Sequence, residues 1–220
     1  MATLPSDPTL DEIREALAPR IPAHAAFDGW SDAAVERAAA EIGVDADVAR
    51  LAFPGGAVEM IDAWFADVDR AMAAALPPEM LGQMKVRARI AALVMARIER
   101  VHPHREALRR ALAILAMPQN AARGAKLGWR AADAMWRLAG DTATDFNHYS
   151  KRGILAGVYG ATVLAMLDDE SEGLAETRAF LDRRIEGIMR FEKAKAQFAA
   201  RREYMPSLSR FIGRLRYPAV

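Results

Sequence analysis

Apolar side chains recur along this chain at helical spacing almost everywhere. They follow one another at intervals of three and four residues, and no segment alternates apolar with polar residues as a half-buried strand does. Prolines, glycines and capping residues such as Thr9, Ser31 and Ser171 mark where helices begin and end. The pattern predicts an all-α fold, with helices over about 9–18, 31–42, 45–51, 57–76, 82–101, 104–116, 121–139, 143–167 and from 171 to beyond 189.

The length and the apolar content predict a sizeable core. Of the 220 residues, 52% are apolar, and a chain of this length buries about 70% of its unfolded surface. The longest apolar run without a charge, residues 153–167, has 15 residues, whereas crossing a bilayer takes about 20. We therefore expect a buried helix there. The N-terminus carries no basic stretch followed by an apolar run, which predicts no secretory signal and a cytoplasmic protein.

Residues that could perform catalysis or bind a cofactor are sparse and unsuitably spaced. There are no cysteines, and the pair Gly55 and Gly56 lacks the spacing and the lysine of a phosphate-binding loop. One Glu-x-x-His motif, Glu99 to His102, is present, whereas a di-iron helical bundle uses a pair of such motifs with further carboxylates. We therefore expect no catalytic residue, no metal and no cofactor, and a protein that is not an enzyme.

The first 75 residues resemble the helix-turn-helix unit of tetracycline-repressor-like regulators. The resemblance is carried by Phe27, Gly29, Ser31, Ile42-Gly43-Val44 and Phe53. It implies an N-terminal helix-turn-helix-like unit followed by a helical domain for ligand binding and dimerisation. However, residues 1–75 hold 14 acidic side chains against five arginines. Because DNA binding depends on Lys and Arg that displace phosphate counterions, we expect a degenerate unit that binds no nucleic acid.

Positive charge is concentrated at the other end of the chain. Residues 187–220 carry eight Lys or Arg against two Glu. From Ser207 onward, apolar residues at helical spacing alternate with arginines, which is typical of a helix lying in a membrane interface. The predicted membrane-contacting residues are Leu208, Arg210, Phe211, Ile212, Arg214 and Leu215. The same apolar stripe could instead pack on the body of the protein or on a second subunit.

A longer resemblance covers most of the chain. The segment MWRLAGDTATDFNHYSKR (135–152) is similar to the coenzyme Q biosynthesis protein nine family, an accessory family of ubiquinone biosynthesis. Residues 26–44, 49–65, 104–120, 153–173 and 180–196 resemble the same family. The resemblance implies a homodimeric, lipid-holding protein, peripheral on the inner membrane, that assists the di-iron hydroxylase acting on demethoxyubiquinone. The matched partner-binding residues are Asp145, His148, Tyr149 and Arg152, and relatives often carry Trp where this chain has His148.

An isoprenoid ligand would need an apolar sleeve between helices. Exposing a polyprenyl tail costs about 0.8 kcal/mol per CH₂, and glycines and alanines in 153–161 leave room for one. The predicted lipid-binding residues are Trp129, Met135, Trp136, Leu155, Val158, Tyr159, Val163 and Met166. The predicted organisation is a helix-turn-helix-like unit (1–75), a lipid-binding domain (76–187) and a basic tail (188–220). A ligand-sensing transcriptional regulator and a general phospholipid-binding scaffold remain alternatives.

Overall fold

A computed structural model describes residue 5, residues 7–142, residue 144 and residues 146–203, of which 146, 147 and 191–203 are described by their backbone alone. These residues form helices and turns and no strand, so the predicted all-α fold is confirmed. The helices are α1 (Leu10–Leu17), α2 (Ile21–Asp28), α3 (Asp32–Ala40), α4 (Ala46–Leu51), α5 (Gly56–Ala75), α6 (Pro78–Gly82), α7 (Val86–Val101), α8 (Arg105–Ala116), α9 (Ala121–Leu138), α10 (Phe146–Leu167) and α11 (Ala175–Glu203).

Two helices differ from the sequence prediction, and both carry a proline in the first turn. Pro22 occupies the second position of α2, and Pro78 the first position of α6. The prolines near these segments predicted helix ends. A proline in the first helical turn removes an N–H that has no acceptor within the helix, so it is tolerated there. The prediction of no helix between about 19 and 30 was therefore wrong, because α2 forms there. The prediction of one helix from about 82 was wrong at its start, because α6 ends at Gly82 and α7 begins at Val86.

The N-terminal helices pack on the rest of the first compact unit, Met1–Leu181. The Trp30 indole N–H donates to the Ala107 carbonyl of α8 at 3.0 Å. The Trp30 ring also lies 5.4 Å, centre to centre, from the Trp64 ring of α5. Both tryptophans are buried. Because α5 and α8 also line the cavity described below, this packing ties the helix-turn-helix-like segment to the walls of the cavity.

The turn between α10 and α11 is organised by one buried carboxylate. Asp169 is 3% exposed and accepts hydrogen bonds from the backbone N–H and hydroxyl of Ser171 and from those of Thr177. The sequence predicted that Ser171 immediately precedes and caps α11, but Ser171 lies further from its first residue. A 3₁₀ turn, Glu172–Leu174, intervenes, and the Ser171 hydroxyl accepts from the Glu176 N–H in the first turn of α11.

Replacing Asp169 with Asn is expected to lower the free energy of unfolding at pH 7 by about 1.5–3 kcal/mol, the value of a hydrogen bond to a charged group. Burial raises the pKa of Asp169, but the four hydrogen bonds outweigh burial and hold its pKa well below the ordinary value. The stabilisation is therefore fully present well above the unfolded pKa, about 3.9. It is lost progressively as the pH falls from there towards the lower pKa of the folded state. Denaturant unfolding at pH 7 and at about pH 3 measures this dependence.

Asp168→Asn provides the control for this prediction. The Asp168 side chain is 82% exposed and forms a surface ion pair with Arg109 at 3.2 Å, so its loss should cost less than about 1 kcal/mol. Equal losses for the two variants, or an Asp169→Asn effect that persists unchanged at about pH 3, would contradict the role assigned to Asp169.

Candidate functional site: an apolar cavity and an aromatic patch

A cavity of about 370 Å³ lies among α5, α7, α8, α9 and α10. Its walls are almost entirely apolar, and the charged exception is Arg97. Leu164 lies at the exposed end, since 61% of its surface is accessible. The lining residues are Phe65, Arg97, Leu108, Leu112, Leu115, Ala116, Gly124, Leu127, Gly128, Ala131, Ala156, Tyr159, Gly160, Val163 and Leu164.

Three glycines on α9 and α10 line this cavity. A Cβ added at Gly128 or Gly160 would have nothing within 4 Å, whereas one added at Gly124 would lie 3.2 Å from the Leu115 carbonyl oxygen. Gly124 therefore allows α8 and α9 to approach closely, while Gly128 and Gly160 leave volume unfilled. The volume of 370 Å³ falls within the roughly 300–1,000 Å³ typical of ligand pockets.

Arg97 places a charged group on the cavity wall. The side chain is 1% exposed, pairs with Asp69 through Nη1, and lies with its guanidinium carbon 5.0 Å from the centre of the Tyr159 ring. Burial disfavours the charged form, but Tyr159 and Asp69 outweigh burial and raise the pKa of Arg97. Arg97 Nε has no hydrogen-bond partner within the described part of the chain. An unsatisfied buried donor costs about 1–3 kcal/mol.

The structure brings together only some of the predicted lipid-binding residues. Tyr159 and Val163, one turn apart on α10, line the cavity. The remaining predictions do not line this cavity: Met135, Leu155, Val158 and Met166 are buried in the core, and Trp129 and Trp136 lie elsewhere on α9. The Trp136 indole N–H donates to the Lys151 carbonyl at 3.0 Å and so ties α9 to α10.

Several lining residues were not predicted as ligand contacts. Leu108, Leu112 and Leu115 were predicted as the inward stripe of their helix, and their spacing does not distinguish a cavity wall from packed core. Arg97 did carry a signal. It lies four residues after Leu93 and four before Val101, both buried, so a charged residue occupies the inward face of α7.

A second feature is an exposed cluster of three aromatic rings at the start of α10, which we call the aromatic patch: Trp129, His148 and Tyr149. Tyr149 is 62% exposed and Trp129 36% exposed. The Tyr149 ring lies 6.2 Å from that of Trp129 and 5.1 Å from that of His148, centre to centre. Exposed aromatic clusters are typical of interaction surfaces. Trp129, predicted as a lipid contact, thus lies beside the predicted partner-binding residues.

Arg152, also predicted to bind a partner, is buried beneath the start of α10. It is 2% exposed and contacts Asp133 at 2.5 Å and Asp141 at 3.0 Å. It also donates to the His148 carbonyl at 3.1 Å. Arg152 therefore positions the first turns of α10, where two residues of the aromatic patch lie. Asp145 and the predicted membrane-contacting residues Leu208, Arg210, Phe211, Ile212, Arg214 and Leu215 lie outside the described residues.

The helix-turn-helix-like segment presents little free positive charge. Arg50 on α4, the position of a recognition helix, forms ion pairs with Glu36 and Asp47. Across the described side chains, no group of three or more acidic or histidine residues is arranged to hold a metal ion. Nor does any helix in the described ranges combine the length and apolar character needed to span a membrane.

The fold has a counterpart among solved structures. The crystal structure of the TetR transcriptional regulator from Nitrosomonas europaea matches this chain with a TM-score of 0.63, covering 79% of this chain and 96% of that one. The two sequences are 23% identical, so this likeness concerns the fold alone. The chain has a tetracycline-repressor-like fold, as its sequence predicted.

The sequence comparisons identify the family. A family model described as COQ9 matches residues 121–192. The ubiquinone biosynthesis protein COQ9, mitochondrial, of Rattus norvegicus is 34% identical over 168 residues, which is 73% of this chain and 54% of that protein. Its Homo sapiens counterpart is 32% identical over 176 residues, which is 77% of this chain and 54% of that protein. This chain spans about half the length of these relatives. It belongs to the COQ9 family.

Proposed function

We propose that this protein acts in ubiquinone biosynthesis as a non-catalytic carrier. It binds an isoprenoid quinone intermediate in the cavity and presents it to the demethoxyubiquinone hydroxylase. The observation that carries the proposal is the apolar cavity among α5 and α7–α10, which is open beside Leu164. The relatives are named as ubiquinone biosynthesis proteins, and an isoprenoid quinone is the apolar ligand which that process requires.

The size of the cavity limits how much of the ligand it encloses. At about 30 Å³ for each water-sized group, 370 Å³ holds on the order of a dozen non-hydrogen atoms. That is a substituted quinone ring or about two isoprene units. The remainder of a polyprenyl chain would extend past Leu164. Because exposing this chain to water is costly, loading must occur at a membrane, and the basic residues 188–220 supply the membrane contact in this proposal.

Helix α10 joins the cavity to the aromatic patch. Tyr149 of the patch and Tyr159 of the cavity are ten residues apart on the same helix, which corresponds to about 15 Å along its axis. A hydroxylase docked on the patch would therefore lie close to the ligand. Large exposed aromatic side chains are the residues most often responsible for binding energy at protein interfaces, which assigns the docking contact to Tyr149.

Tyr149→Ala is expected to abolish most of the stimulation of hydroxylase activity on substrate embedded in vesicles, while quinone binding stays intact. The affinity for the hydroxylase should fall about 30-fold, corresponding to a hot-spot loss of about 2 kcal/mol. Phe27→Ala is the matched control, because Phe27 is an exposed aromatic residue, 83% accessible, outside the patch on α2. If both variants stimulate the hydroxylase as the wild type does, the patch does not present the substrate.

The alternative of a DNA-binding regulator rests on the same fold. Its recognition helix would have to contact phosphates through Arg50, but Glu36 and Asp47 already neutralise that side chain. With an acidic excess over residues 1–75, electrostatics opposes association with DNA. The carrier proposal is therefore the better supported one.

A further inference from the structure

We propose that Arg97 binds an oxygen atom of the ligand, with its Nε–H donating a hydrogen bond to a neutral carbonyl oxygen at the buried end of the cavity. This inference rests on the proposed function and adds the chemistry and the orientation of the bound molecule: the oxygen-bearing end enters first.

The Arg97 guanidinium has a buried donor without a partner among the described residues. Nη1 is engaged by Asp69, and the centre of the Tyr159 ring lies 5.0 Å from the guanidinium carbon. Nε is buried and lacks an acceptor in the described part of the chain. Buried donors in native proteins nearly always have a partner. Because Arg97 also lines the cavity, we assign the missing acceptor to a ligand bound there.

The charges around Arg97 favour a neutral acceptor over an anion. Arg97 and Arg130 face two carboxylates: Asp69 contacts both arginines, and Asp62 pairs with Arg130. The cluster is thus balanced without a ligand. A phosphate or carboxylate would add an uncompensated charge to an apolar cavity, at high desolvation cost. A carbonyl oxygen accepts one hydrogen bond and adds no charge. Quinones and acyl esters share this group.

The shape of the cavity sets the direction of entry. Leu164 and Gly160 lie on an exposed wall of the cavity, whereas Arg97 is 1% exposed, so we infer that a ligand enters beside Leu164 and reaches Arg97 with its leading end. A carbonyl bound at Arg97 would leave an attached hydrocarbon chain pointing outward past Leu164. The ring-sized volume suits this orientation.

The test compares two probes with nearly the same shape, 2-methyl-1,4-naphthoquinone and 2-methylnaphthalene, which lacks both carbonyl oxygens. Equilibrium dialysis against the full chain gives the ratio of their dissociation constants in the wild type and in Arg97→Met. The preference for the quinone should fall about tenfold in Arg97→Met, which is the value of one hydrogen bond of this kind. Arg130→Met is the matched control: it also removes an arginine beside Asp69, but Arg130 does not line the cavity, so the preference should persist.

An infrared measurement on the wild type does not depend on any variant folding. The carbonyl stretch of bound, ¹³C-labelled 2-methyl-1,4-naphthoquinone should lie below its frequency in hexane. An unshifted stretch or an equal quinone preference in the wild type and Arg97→Met, found together with an equal affinity of both proteins for monooctanoylglycerol, overturns this inference alone. If neither probe binds the wild type, the proposed cavity function fails as well. Monooctanoylglycerol tests whether the bound carbonyl belongs to an acyl ester. If Arg97→Met loses affinity for this probe but not for the quinone, the carbonyl contact is supported and the natural ligand is an acyl lipid.

Discussion

Arg152→Ala is expected to lower the free energy of unfolding by about 3–5 kcal/mol, because removing one member of a buried ion pair leaves the other charge uncompensated. Arg152 is 2% exposed and bridges Asp133 on α9 and Asp141 before α10. The Asp141 side chain is itself only 6% exposed. Urea unfolding of the full chain at pH 7 measures the loss.

The effect should also depend on pH. Burial alone would raise the pKa of Asp141, but Lys151 and Arg152 outweigh burial and lower it. A carboxylate with a depressed pKa stabilises the fold above its unfolded pKa, about 3.9, and less as the pH falls below it. The difference between the wild type and Arg152→Ala should therefore be largest near neutral pH and become smaller below about pH 4.

Arg137→Ala serves as the control for Arg152. It removes an arginine that pairs with the same Asp133, at 2.8 Å, but is 73% exposed. Its loss should cost less than about 1 kcal/mol. If Arg152→Ala were as mild as Arg137→Ala, Arg152 would not be a structural anchor. Its predicted role as a direct partner contact would then regain support.

Gly160→Leu is expected to weaken quinone binding about tenfold or more. Gly160 lines the cavity at an exposed position, and a Cβ added to it would have nothing within 4 Å, so we expect the leucine side chain to occupy volume that the ligand needs at the mouth of the cavity. Displacing even two methylene-sized groups of the ligand costs about 1.6 kcal/mol at about 0.8 kcal/mol each, which is slightly more than a factor of ten. Titration with a short-chain isoprenoid quinone, in the same detergent for every variant, gives the affinities.

The neighbouring glycine, Gly157, provides a closely matched control. It lies one turn earlier on α10. Like Gly160 it is exposed, and a Cβ added to it would also have nothing within 4 Å, but it does not line the cavity. Both substitutions improve helix propensity by about 1 kcal/mol, so a difference between them reports on the cavity. Equal affinities for Gly160→Leu, Gly157→Leu and the wild type would mean that the quinone binds elsewhere.

Local sequence patterns predicted the helices well where the ends were marked unambiguously. Thr9 and Glu12 form the reciprocal capping hydrogen bonds of α1, and Asp45 accepts from two amides at the start of α4. Pro22 and Pro78 predicted the ends of helices, but each lies in the first turn of one. A proline disrupts the interior of a helix and is tolerated in its first turn. The sequence does not say which of the two positions a proline occupies.

The cavity was less predictable than the helices for a physical reason. Tyr159, Val163 and Met166 all lie on the inward side of α10, but Met166 is packed completely while the other two border empty volume. That difference depends on which side chains α5, α7 and α8 bring opposite, and helical spacing within α10 carries no information about them. Arg97 is the exception, since a charge within an apolar stripe can be recognised in the sequence.

Native mass spectrometry of the full chain, purified in mild detergent from cells that make ubiquinone, tests the central claim most directly. We expect an isoprenoid quinone to be retained at one molecule per chain in the wild type and in Gly157→Leu, and at clearly lower occupancy in Gly160→Leu. Retention of phospholipid alone, or of no lipid at all, would show that the cavity does not carry an isoprenoid quinone.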